Sequence, residues 1–179
     1  MDVQSDPRTR PGWHAMARDA AFFVALVATG IALGGALAHA LELPNKIGLP
    51  KASYFIVQRI YDGWWQLAYV LAVELAAMLA VLVLSWRDTL PFRLALFAIV
   101  AVLAAQAVFW IWTWPANVAT RNWTMVPDNW EALRWQWEFS HLGGAVLQLL
   151  AFCALSLAAL AHRDREGGEG ETALREERL

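Results

Sequence analysis

Arg134–Ala161 reads RWQWEFSHLGGAVLQLLAFCALSLAALA, a polar and aromatic start that runs straight into an apolar segment. From Phe139 to Ala161 only Ser140, His141, Gln148 and Ser156 interrupt the apolar run. At about 1.5 Å per residue, a helix of that length crosses most of a ~30 Å hydrocarbon layer. Three further runs match it: Ala20–Ala38 with Thr29 as its polar residue, Leu67–Leu84 with Tyr69 and Glu74, and Leu94–Trp112 with Gln106. Composition agrees, since 59% of the residues are hydrophobic and only 17% are charged, a balance that belongs to membrane proteins. A net charge of −2 offers no basic surface for nucleic acid, so none is expected as a partner. Cys153 is the only cysteine and sits in an apolar run, so neither a disulfide framework nor a cysteine metal site is available.

The expected fold is therefore all-α. It is an integral membrane four-helix bundle, up-down-up-down, with a long Trp-rich outer loop between the third and fourth helices. Residues 1–19 read as a cytoplasmic N-terminal segment, 20–162 as the four-transmembrane-helix domain, and 163–179 as a charged, disordered cytoplasmic tail. The first run is read as a true span because its apolar part is longer than a usual leader core. Both termini then share a side. That side carries Arg8, Arg10, Arg18, Arg87, Arg93, Arg163 and Arg165, against Lys46, Lys51, Arg59, Arg121 and Arg134 on the other. The bias places both termini in the cytoplasm, with a bacterial inner membrane as the expected location. The turn SWRDTLPF is tight, with Asp88 or Thr89 available as a cap and Pro91 suited to a first helical turn. Pro44 and Pro115 are expected to end the first and third helices.

Tryptophan is placed unevenly. Of 11, nine fall toward the outer end: Trp64, Trp65, Trp110, Trp112, Trp114, Trp123, Trp130, Trp135 and Trp137. Interfacial belts account for several, but a belt is similar on both faces. The excess points to an aromatic-lined pocket opening outward, with Glu74, Gln106, Trp65, Trp114, Trp130 and Trp137 as expected lining.

The ionisable residues converge on the same end. His39 and Glu42 lie three apart at the outer end of the first helix, and Glu138 and His141 three apart at the start of the fourth. Residues at that spacing share a helix face. Their order reverses along with the helix direction, so each histidine is one turn deeper than its glutamate. Gly30, Gly34 and Gly35 on the first helix and Gly143 and Gly144 on the fourth are expected to let the two approach closely. Arg134, Glu138, His141, Ala145 and Gln148 form one helical stripe, and hydrocarbon forces that stripe inward.

Taken singly, these residues have plainer roles, such as an ion pair between Arg134 and Glu138 or core histidines bonded to tyrosine or backbone. Together they suit a non-haem transition metal, iron or copper, held by His39, Glu42, Glu138 and His141. A mononuclear site of two histidines and one carboxylate leaves positions open for oxygen or substrate. Haem b between His39 and His141 is an alternative, as is no cofactor, with His141 and Glu138 as an acid/base pair.

The chain also resembles the anthrone-oxygenase-like family of small four-span membrane proteins. The matching residues are AHALELPNK, Tyr61 with Trp64 and Trp65, and WPANVATRNWTMVPDNWEALRWQWEFSH, in which Asn117, Trp130, Arg134, Trp137 and His141 carry the pattern. The resemblance implies oxygenation of an activated methylene in a hydrophobic, aromatic or quinone-like molecule. It implies His141 as base or ligand, and Arg134 and Asn117 orienting a phenolate or enolate oxygen. The partners expected are the lipid bilayer, that small-molecule substrate and a second copy of the chain as a homo-oligomer. Competing expectations are a haem-binding electron-transfer protein and a non-catalytic transport or assembly protein.

Overall fold

The computed structural model describes residues 12–176, with side chains described from 12 to 163. Arg8 and Arg10 lie outside the described residues, as do residues 177–179 of the expected tail and the side chain of Arg165; residues 163–176 of that tail are helical.

The long helices are α1 (Trp13–Lys46), α3 (Leu67–Leu84), α4 (Thr89–Val108) and α6 (Trp130–Glu176); α2 (Lys51–Val57) and α5 (Trp114–Ala119) are short. Among the described residues there is no strand. Four helical runs, Trp13–Lys46, Trp64–Leu84, Thr89–Ala119 and Trp130–Arg163, are long and apolar enough to cross a bilayer. The protein is thus an all-α four-helix bundle of membrane type.

Neighbours follow from packing. α1 packs between α3 and α6, α6 between α1 and α4, and a lighter α3–α4 contact closes the ring. Small residues make the core: Ala95, Ala98 and Ala101 of α4 cluster with Ala151, Ala154 and Ala158 of α6, all buried. Lipid tails are as apolar as any side chain, so close packing of small side chains, rather than water exclusion, holds such helices together. Large apolar residues such as Phe23, Ile31, Val83, Leu103 and Leu157 remain on the outside, where lipid would meet them.

The glycines contribute less to the α1–α6 approach than their spacing suggests. A Cβ at Gly30 would meet Phe152 of α6 at 3.8 Å, an ordinary contact, and one at Gly34 or Gly144 would meet nothing within 4 Å. Gly143 faces Val108 of α4 instead. Gly35 is the crowded position, with Leu67 Cδ1 at 3.2 Å, and it receives the start of α3.

Both expected helix stops move. α1 continues past Pro44 to Lys46, and the Ile47 N–H bonds to the Leu43 carbonyl at 3.0 Å. Pro44 has no N–H to give the Ala40 carbonyl, yet the helical backbone carries on through it. At the other helix, a π-helical turn at Phe109–Thr113 bridges α4 to α5, with Pro115 in the first turn of α5. Helical backbone thus runs on to Ala119, and the Trp-rich connection is shorter than expected. That connection turns through Arg121, Asn122 and Trp123, all with positive φ (49°, 54° and 61°). Such a run is costly for non-glycine residues and needs compensation. The Asn122 N–H bonds to the Asn117 carbonyl at 2.7 Å, and the Trp123 N–H to Thr120 Oγ1 at 3.1 Å. The result drives Trp123 inward to 4% exposure.

At the opposite end, Asp88 occupies the N-cap position of α4 but makes no side-chain cap bond. Its carboxylate pairs with Arg18 of α1 at 2.5 Å, tying the tight turn to the first helix.

Candidate functional site

His39 on α1 and His141 on α6 bring their imidazoles into contact, with ring centroids 4.2 Å apart. Trp137 lies 3.9 Å from His141 and 5.1 Å from His39; Tyr61 is 4.3 Å and Trp64 5.0 Å from His39. The pair therefore sits in an aromatic cage. His141 Nδ1 is 2.8 Å from the Trp137 carbonyl, one turn back on its own helix. A carbonyl only accepts, so Nδ1 carries the proton, and the neutral ring keeps its lone pair on Nε2. His39 Nδ1 is buried without a hydrogen-bond partner.

Beside the cage lies a polar network. Lys46, 3% exposed, donates to the Tyr61 hydroxyl at 2.6 Å and lies 3.3 Å from Glu138 Oε1 and 3.7 Å from Glu42 Oε2. Tyr61 donates in turn to Glu42. Tyr54 donates to Glu138 Oε1 at 2.9 Å and accepts from Gln58 Nε2 at 2.5 Å. The Lys46 ammonium also lies over the rings of Tyr61 and Trp137, 4.5 and 4.8 Å from their centroids. Burial first, and then the negative charge of Glu138, pushes the Tyr54 phenol above its ordinary range. Burial and then the bond to Glu42 do the same for Tyr61. Both phenols thus stay protonated donors.

The facing arrangement of the two His/Glu pairs is present, but not as a metal cage. Among the described residues no group of three or more histidine, cysteine, aspartate or glutamate side chains gathers as a metal site. The Lys46 ammonium sits within reach of both Glu42 and Glu138 and bridges the two carboxylates. In this structure the expected set His39, Glu42, Glu138 and His141 is arranged as an imidazole pair beside a lysine-bridged carboxylate pair. Haem b between His39 and His141 would require the two rings to part, since they are in contact here.

Arg134 and Asn117 also take roles different from those the resemblance implies. Arg134 donates to the Leu49 carbonyl at 2.9 Å and lies over Trp130 and Tyr54, pinning the α1–α2 connection to α6. Asn117 Oδ1 accepts from Trp137 Nε1 at 2.9 Å and holds the indole against the histidines. Both act through other residues. Asn117→Ala is expected to lower stability by about 1–3 kcal/mol, the cost of stranding a buried donor. Thermal unfolding in detergent micelles would show it, and the loss should shrink in a Trp137→Phe background, where no donor remains.

Of the expected pocket lining, Trp137 is buried in the cage, and Trp130 packs beside Tyr54 and Phe55. Trp65 and Trp114 are 68% and 45% exposed and belong to the outer surface. In the 3-10 turn Trp64–Gln66 successive side chains diverge, so Trp64 turns to His39 while its neighbour turns out. Glu74 bonds to Gln148 deeper in the bundle, and neither Glu74 nor Gln106 joins the cage.

Lys46, Tyr54 and Gln58 escaped the sequence reading. Lys46 falls four residues after Glu42 but beyond Pro44, which reads as a stop. Tyr54 and Gln58 share the helical i, i+4 spacing, a signal easily lost in a short connecting segment. No protein-family model, curated protein or solved structure matches the chain.

Proposed function

We propose that this protein is an integral membrane oxidoreductase of the oxygenase type, acting on a hydrophobic aromatic or quinone-like small molecule beside the His39–His141 pair. The observation that carries the reading is the His141 ring, locked by its Nδ1–H bond so that Nε2 is a free base inside an aromatic cage. Flat rings suit such walls, and a neutral imidazole with a free lone pair can accept a proton.

A methylene between aryl rings joined through a carbonyl is acidified, because the carbanion's charge spreads onto that oxygen. His141 Nε2 takes one proton, and the charge delocalises onto the substrate's oxygen. The Lys46 ammonium is the group placed to stabilise that oxyanion. The carbanion passes electrons to dioxygen, the C–O bond forms, and the hydroperoxide loses water to leave a ketone. In sum, one methylene and one dioxygen give one ketone and one water, with dioxygen the oxidant. One oxygen atom stays on carbon, and the other leaves with the two methylene hydrogens. Asn117 and Arg134 serve as positioning residues. The resemblance to anthrone-oxygenase-like proteins supports this chemistry, and the arginine and lysine bias supports a bacterial inner membrane with cytoplasmic termini.

Anthrone is the probe that tests it. Purified protein in micelles is expected to raise oxygen uptake and quinone formation above the rate in protein-free micelles, with elemental analysis of the same sample recording metal content. Uptake no faster than the protein-free rate would overturn the reading.

A further inference from the structure

We propose that Glu74, Gln148 and Thr29 form a proton-binding site in the membrane core, separate from the imidazole cage. The three residues come from α3, α6 and α1, and their exposures are 0%, 5% and 0%. Gln148 Nε2 donates to Glu74 Oε1. Thr29 borders the same carboxyl, but its hydroxyl proton goes to the Ala25 carbonyl at 2.7 Å. It can therefore meet the carboxyl only with lone pairs. Glu74 Oε2 is left buried with no partner, and none of the ion pairs among the described residues includes Glu74.

A bare carboxylate oxygen in hydrocarbon, next to a hydroxyl's lone pairs, is strongly unfavourable. One proton on Oε2 removes the bare charge while Oε1 still accepts from the Gln148 N–H. An alkali cation is a poorer occupant, since Gln148 presents an N–H to the carboxyl and few oxygens converge. Gln148 lies seven residues, roughly 10 Å, along α6 from His141, so this proton is not the one the outer base handles. A protonatable group held at that depth is what a proton-coupled membrane step requires.

Dicyclohexylcarbodiimide, which attacks protonated carboxyls from the lipid phase, tests the site. An apolar groove lined by Ala21, Val24, Val73, Ala76 and Ala77 flanks this part of α3 on the lipid-facing side. Wild-type protein in liposomes is expected to be modified at Glu74, mapped by mass spectrometry, equally in potassium, sodium or lithium buffer. Protection by sodium or lithium would make the site a cation site and overturn the proposal. Infrared spectroscopy removes any dependence on reagent access. A protonated-carboxyl band that shifts in heavy water should be present in wild type and reduced in Glu74→Gln. A band unchanged by that substitution, or no band at all, would also overturn it.

Discussion

Lys46→Met is expected to destabilise the protein by about 3–5 kcal/mol, the usual cost of leaving a buried charge without its partner. Lys46 places its ammonium between Glu42 and Glu138, and Glu138 is only 1% exposed. Methionine keeps the length of the side chain and its packing against Tyr61 and Trp137, so the loss reports on charge rather than on volume. Two carboxylates are then left facing each other, one of them out of contact with solvent. Glu138→Gln in the Lys46→Met background should recover much of the loss, because the neutral amide still accepts from Tyr54. Equilibrium unfolding in mixed micelles would give both values. A single variant as stable as wild type would show that the network holds no net charge pair.

His141→Ala is expected to slow anthrone oxidation by about 10²–10⁴-fold, the range for removing a positioned general base. KM should change far less than kcat, since the aromatic walls remain. Added imidazole should restore part of the rate in His141→Ala, because the space left by the ring admits a free base. A merely structural histidine would lower folded protein yield and leave nothing for imidazole to rescue. Wild-type turnover in the variant would remove His141 from the chemistry.

Much of this architecture is legible in one dimension. Hydrophobic runs of membrane length specify four spans because backbone polar groups in lipid must be satisfied within each helix. The inward turn of the Arg134–Gln148 stripe follows from the cost of ionisable groups in lipid, and so does the meeting of His39 with His141 once α1 and α6 are neighbours. Carboxylate partners are another matter. The spacing that brings Glu42 and Glu138 to one end is equally consistent with a metal between them or an ammonium. Whether an ammonium reaches them depends on whether α1 continues past Pro44.

The bundle, its membrane character and the pairing of two helix ends are thus written in the chain, because hydrophobicity and helical period act locally and repeat over many residues. How the side chains at those ends are arranged is decided only in three dimensions. One extra turn of α1 places Lys46 between the glutamates, a left-handed turn folds Trp123 inward, and Asn117 fixes Trp137 against the imidazoles. Each depends on the position of a single side chain relative to another helix, and no periodic pattern encodes such a position.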